Sequence, residues 1–144
     1  MSMKPLFIMT CTDAKTSDFE LAKGMYKGAM IDQLRHSLGN EVDSVQLAFL
    51  SAKYGLIEGE RLIETYNAII PKAKTVAFDF YVKQFKSEAI RVMKELSHKD
   101  RDVYVFLSER YLAVFDYWME HSPQFKKAVR SNRSLYVSRK SGGI

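Results

Sequence analysis

The chain has 144 residues, 22 Lys and Arg against 17 Asp and Glu for a formal charge of +5, 47% hydrophobic residues and one cysteine. That length supports one domain with a single continuous core, and the hydrophobic share excludes wholesale disorder. No apolar run approaches the roughly 20 residues that span a bilayer, and the lone Cys11 excludes an internal disulfide or a Cys-rich zinc site.

The first nine residues, Met1 to Met9, carry one charge and too short an apolar stretch for a secretion signal. The expectation is a cytoplasmic protein with no membrane partner. The positive charge is unevenly placed. Residues 1–120 hold 16 basic and 17 acidic side chains, a net of −1, whereas residues 121–144 hold Lys126, Lys127, Arg130, Arg133, Arg139 and Lys140 and no carboxylate. Such a segment is either a solvated basic face or an electrostatic footprint for nucleotide or nucleic-acid phosphate, with Lys126, Lys127, Arg130 and Arg133 as backbone contacts.

In chain order, Pro5-Leu-Phe-Ile-Met-Thr10 is a short apolar run that reads as a buried strand. Residues 11–18 have loop composition. Asp18 reads as the N-cap of a helix that runs through Leu21 and Met25, either continuous or interrupted at Gly24 and Gly28, to Leu38, where Gly39-Asn40 stops it. Ser44 to Leu50 is a second strand, followed by a loop that contains Gly55 and Gly59 and ends at Pro71. Ala73 to Leu96, with apolar residues at Val76, Phe80, Phe85, Ala89, Val92, Met93 and Leu96, is an amphipathic helix broken once.

Val103 to Leu107 is a third strand, and Ser108 caps a helix that carries Glu109 in its first turn. Pro123 interrupts that helix, a short basic helix follows, and Leu135 to Val137 reads as a fourth strand. Strands alternating with helices imply a single-domain α/β protein over residues 1–144, a three-layer Rossmann-like fold with a mostly parallel sheet of about four strands. Ligands of such folds sit beyond the carboxyl ends of the strands.

The three strand ends carry hydroxyls and charges. Cys11, Asp13 and Lys15 follow the first strand; Ser51, Lys53 and Tyr54, then Glu64 and Tyr66, follow the second; Ser108, Glu109, Arg110 and Tyr111 follow the third. Lys15, Lys53 and Arg110 suit phosphate, Arg110 as a bidentate fork, and Ser108 opens a helix whose amides favour an anion. Tyr26, Tyr54 or Tyr66 suits stacking on a base, worth about 1–3 kcal/mol. Glu64 and Glu109 are carboxylates able to act as acid, base or nucleophile. Cys11 is either a nucleophile with a lowered pKa or an inert buried thiol. His36, His98 and His121 lack metal-ligand spacing, and no GxSxG, Walker A or GxGxxG pattern occurs, so neither a metal nor a cofactor is expected.

These segments resemble the small YaaA-like domain of bacteria and phages, long of unknown function. Phe7-Ile-Met-Thr-Cys11 with Lys15 is similar to its first strand and Cys-Ser-x-x-Lys start. Leu50-Ser-Ala-Lys-Tyr-Gly-Leu56 with Ile63-Glu-Thr-Tyr-Asn67 is similar to its Ser-Ala-Lys-His/Tyr-Gly-Leu and Ile-Glu-Pro-Tyr-Asp signature. Leu107-Ser-Glu-Arg-Tyr111 resembles its Gly-Glu-Arg-Tyr turn. Thr12-Asp13, Thr65 and Asn67 depart from the pattern, and Asn67 cannot ionise where relatives carry Asp. The resemblance implies an α/β fold and a site drawn from Cys11, Lys15, Tyr26, Ser51, Lys53, Tyr54, Glu64, Glu109 and Arg110, with nucleic acid or its components as partner.

Three functions follow as expectations. The first is an enzyme acting on a nucleoside, a nucleotide or a DNA base, cleaving or exchanging an N-glycosidic bond. Glu64 or Glu109 would assist an oxocarbenium-like centre, with the basic C-terminal segment as an accessory to that site. The second is a non-catalytic nucleic-acid-binding module. The third is a phage-type protein that binds a host protein or sequesters a nucleotide.

Overall fold

The computed structural model describes residues 3–10, 14–15, 19–21, 26–27, 45–60, 62–64 and 69–139, with the backbone alone at 14–15, 19–21, 26–27 and 62–64. In chain order the strands are β1 (Leu6–Thr10), β2 (Ala14–Lys15), β3 (Phe19–Leu21), β4 (Tyr26–Lys27), β5 (Gln46–Ser51), β6 (Gly55–Glu58), β7 (Leu62–Glu64), β8 (Asp102–Phe106) and β9 (Ser134–Val137). The helices are α1 (Val76–Gln84), α2 (Lys86–Leu96), α3 (Glu109–His121) and α4 (Pro123–Arg130).

Five strands form the main sheet in the order β6-β5-β1-β8-β9. β5, β1, β8 and β9 run parallel, and only the edge strand β6 is antiparallel, against β5. The expected mostly parallel sheet is therefore present with five strands rather than four. The fifth lies in the segment read as a loop, because Gly55 suggested a turn whereas it is the first residue of β6.

Strand alternation divides the sheet into two faces. Leu6, Ile8, Ala48, Leu50, Val103 and Val105 share one core cluster with the buried residues of all four helices. Phe7, Tyr104 and Tyr136 occupy matching register positions on β1, β8 and β9, and their rings meet at 5.1 and 5.0 Å. The four described helices therefore cover one face, and the expected second helical layer lies outside the described residues.

The helix read from Asp18 to Leu38 is corrected at its start, since Phe19–Leu21 and Tyr26–Lys27 are strands. Phe19 pairs with Glu64 and Lys15 with Tyr26, both antiparallel. The remainder of that helix, Asp18 included, lies outside the described residues. The break expected within Ala73 to Leu96 falls at Phe85, which ends α1 and begins α2. Among the described residues, no helix is long and apolar enough to cross a membrane.

Candidate functional site

The carboxyl ends of β1, β5 and β8 fall on one edge of the sheet because the three strands are parallel. Two structures stand there. The first is the β5–β6 hairpin, in which Ser51 pairs with Gly55 across the three-residue loop Ala52-Lys53-Tyr54. Gly55 has φ +74°, a left-handed conformation that glycine adopts without steric cost, as three-residue hairpins require. The buried Ser51 hydroxyl accepts the Lys53 and Tyr54 N–H groups at 3.1 and 3.0 Å, and the Tyr81 hydroxyl of α1 donates to the Ser51 carbonyl. Ser51 and Gly55 thus make the turn. Lys53 and Tyr54 are displayed on it, with the Lys53 ammonium 5.2 Å from the Tyr54 ring centroid.

The second structure is the N-terminus of α3. Ser108 occupies the N-cap but makes no side-chain cap bond. Its N–H donates instead to the Thr10 hydroxyl at 2.8 Å, which ties the ends of β1 and β8 together and holds the helix start over them. On the first turn of α3, Arg110 donates through Nη1 to the Ile70 carbonyl at 3.2 Å. That bond draws in the segment leading to α1, so Lys72 and Ala73 face Glu109, Arg110 and Ala113 across a cleft of about 390 Å³. Two cations, one carboxylate and the amide end of a 13-residue helix therefore converge on one hollow. The arrangement can hold an anion between Lys72 and Arg110 and present the Glu109 carboxylate to whatever the anion carries.

Of the residues singled out in the sequence, Glu109 and Arg110 line this cleft. Ser108 holds its floor through Thr10, and Ser51, Lys53 and Tyr54 stand on the hairpin at the same edge. Lys15 and Tyr26 are paired to one another in β2 and β4, and Glu64 ends β7; only their backbones are described. Cys11 and Tyr66 lie outside the described residues. Lys72 was missed, because it sits in a turn far from any strand end in sequence and reaches the cleft only through the packing of Ile70 and Arg110. Among the described residues, no three His, Cys, Asp or Glu side chains group as metal ligands.

Lys126, Lys127, Arg130 and Arg133 are not part of this cleft. α3 leaves the carboxyl edge, and α4 leads to β9, whose first residue pairs with Asp102 at the start of β8. The Arg133 N–H donates to the Arg101 carbonyl at 2.8 Å, and the Asn132 carboxamide oxygen accepts the His98 N–H at 2.9 Å. The C-terminal end of α4 therefore belongs to the amino edge of the sheet, opposite the cleft.

Of the five cations of the basic segment among the described residues, two are used internally. Arg133 forms a bidentate pair with Asp102 at 2.8 and 2.7 Å, and Arg139 pairs with Asp116 at 2.9 and 3.1 Å. Lys126, Lys127 and Arg130 line a shallow hollow with Pro123 and Ser131, and Lys127 shares an adjoining one with Lys94 of α2. At the same edge the buried Arg101, its pKa pushed down by burial, donates to the Lys4 carbonyl at 2.8 Å and to the Leu96 carbonyl, a structural role not visible in the sequence.

A family model described as a family of unknown function (DUF6884) matches residues 6–135, from the first strand of the main sheet into the last. No curated protein and no solved structure matches the chain.

Proposed function

The chain belongs to this family of unknown function, DUF6884, and from that premise we propose that the cleft at the carboxyl edge binds the phosphate of a nucleotide, free or within DNA, and acts on its N-glycosidic bond. The observation that carries the proposal is the convergence of Lys72, Arg110 and Glu109 on one hollow at the start of α3. The cations and helix amides neutralise the phosphate. Glu109 stabilises positive charge developing at the sugar or activates water there. The finer likeness to YaaA-like domains supports the same placement through Ser108-Glu-Arg-Tyr111, whereas its Ser51-to-Leu56 block is accounted for by the hairpin.

Thermal shift and calorimetric titration with nucleobases, nucleosides and nucleotides test this reading. A nucleotide at 100 times its Kd stabilises the fold by about 2.7 kcal/mol, and nucleosides do so far less. Lys72→Gln and Arg110→Gln abolish the shift, while Glu109→Gln keeps binding and loses turnover. Equal response to nucleosides and nucleotides, or unchanged binding in both cation variants, overturns the proposal.

A second reading rests on the amino edge, where Lys94, Lys126, Lys127 and Arg130 line two adjoining hollows with no carboxylate among the lining residues. These four cations suit a nucleic-acid backbone. If each neutralises one phosphate of a duplex, log K falls with log salt at a slope of about −3.6. A slope near zero removes this reading and leaves the cleft untouched.

A further inference from the structure

The geometry points to the outer face of α1 as the docking site for an acidic protein segment that carries apolar side chains. α1 buries Phe78, Tyr81 and Val82, and Trp118 fixes it by donating its indole N–H to the Val82 carbonyl at 2.9 Å. The outer face of such a helix is ordinarily polar. Here Val76 and Phe80, one turn apart, are 86% and 69% exposed, and Ile69 on the segment leading in is 76% exposed. Most of their apolar surface is left outside the core, and exposed apolar groups one helical turn apart mark interaction surfaces.

The charge around the stripe selects the partner. Lys74 precedes the helix and Lys83 follows Phe80 on the same side, both exposed, with no ion pair to either among the described residues. Lys74 sits at the positive end of the α1 dipole, the unfavourable end for a cation, and has φ 67°, a conformation that costs a non-glycine residue. Two features that cost the isolated chain stability thus coincide at Lys74, and a negatively charged partner relieves the electrostatic one. Asp79 is the single carboxylate on the outer face of α1.

A second copy of this chain would set Lys74 and Lys83 against Lys74 and Lys83. A nucleic-acid strand would find one ring, Phe80, and would carry a phosphate past Asp79, since its charge recurs about every 3.4 Å. An anionic membrane needs a longer apolar face than two side chains of a nine-residue helix whose other face is in the core. A protein segment can place Leu or Phe on Val76 and Phe80 and carboxylates on the lysines, leaving a neutral residue opposite Asp79.

Selection of a displayed random 12-residue peptide library against the full chain tests the proposal, with winning peptides titrated by fluorescence anisotropy. The enriched peptides carry Asp or Glu interleaved with Leu, Phe or Trp. Val76→Ser/Phe80→Ser and Lys74→Glu/Lys83→Glu each weaken them at least tenfold, with the thermal midpoint of the chain unchanged or raised. Neither pair touches Lys72 or Arg110, so nucleotide binding in the cleft is unaffected by this result. Enrichment without acidic residues, equal binding to the variants, or tighter binding of a single-stranded oligonucleotide, phosphatidylserine vesicles or the chain itself to this face overturns it.

Discussion

The ring of Phe85 lies directly against Gly55: a Cβ built on the glycine would stand 2.7 Å from Phe85 Cδ1 and 2.9 Å from its Cβ. Phe85 is the residue at which α1 gives way to α2, and its ring also meets that of Tyr81 at 4.8 Å. The break in the helical pair therefore places an aromatic over the turn that starts β6, while the Tyr81 hydroxyl holds the carbonyl of Ser51 on the other side of the same turn. One short stretch of helix locks the hairpin that displays Lys53 and Tyr54.

Gly55→Ala tests this lock. The substitution faces a left-handed backbone, costing about 1–2 kcal/mol, and an overpacked contact with Phe85, costing about 1–3 kcal/mol. Urea unfolding should show a loss of about 2–5 kcal/mol. Removing the ring in Phe85→Ala/Gly55→Ala should recover the steric part but not the backbone part, and a double variant no better than the sum of the singles would show that the ring is not the obstacle.

The three Ser and Thr N-caps differ in what their hydroxyls do. Thr75 and Ser122 accept the N–H groups of Phe78 and Phe125 at 3.1 and 3.2 Å, whereas Ser108 caps α3 without such a bond. Thr75→Ala and Ser122→Ala should each cost about 1 kcal/mol, and Ser108→Ala less than about 0.5 kcal/mol. The hydroxyl that positions α3 is that of Thr10, so Thr10→Val should cost about 1–3 kcal/mol by stranding the Ser108 N–H. Chemical denaturation of the four variants checks the order.

This contrast shows where sequence reading succeeds. β1, β5 and β8 are apolar runs that a parallel sheet buries, so composition alone locates them, and β9 is a shorter apolar run left half-exposed at the sheet edge. Pro123 and Ser122 likewise announce α4, with the proline at its first turn. β3 and β7 carry no such signal. Each is three residues long and exists through its partner, Phe19 with Glu64, so local periodicity around Leu21 and Met25 suggested a helix. Glu109 and Arg110 were visible because they follow a strand directly, while Lys72 enters the cleft through a long-range bond between Arg110 and Ile70. Asp102 hides the role of Arg133 in the same way, since a bidentate pair between strand starts cannot be read from a run of basic residues.

Lys74 carries positive φ without being glycine. Lys74→Gly should relieve roughly 1–2 kcal/mol of backbone cost against about 0.4–1 kcal/mol of added freedom in the unfolded chain. The expected outcome is a gain of up to about 1.6 kcal/mol, seen as a higher urea midpoint with unchanged slope. Lys74→Ala, which keeps the side-chain clash and drops only the charge, should not reproduce it.

Arg110 bridges the cleft and the segment ahead of α1, so charge and geometry can be separated there. Arg110→Lys keeps one positive charge but loses the planar fork and the bond to the Ile70 carbonyl. Nucleotide affinity in calorimetric titration should fall about tenfold, between the wild type and the full loss expected of Arg110→Gln. A lysine that binds as well as arginine would reduce the requirement at this position to charge alone.

Asp102 ties the starts of β8 and β9, accepting two bonds from Arg133 and one from the Ser134 hydroxyl. The Arg133 guanidinium, and secondarily that hydroxyl, hold the Asp102 pKa down to about 2. Because the folded value lies below the ordinary carboxylate value of about 4, the pair stabilises the fold fully above about pH 4, and the contribution is lost as pH falls toward 2. Asp102→Asn removes the ionisation. The gap in urea midpoint between wild type and Asp102→Asn should therefore be constant from pH 7 to about pH 4 and narrow between pH 4 and pH 2. A gap that persists undiminished at pH 2 would assign it to the lost hydrogen-bond geometry rather than to the charge, and Arg133→Gln, which leaves Asp102 with the Ser134 bond alone, should raise the pH at which the narrowing is complete while its onset stays near pH 4.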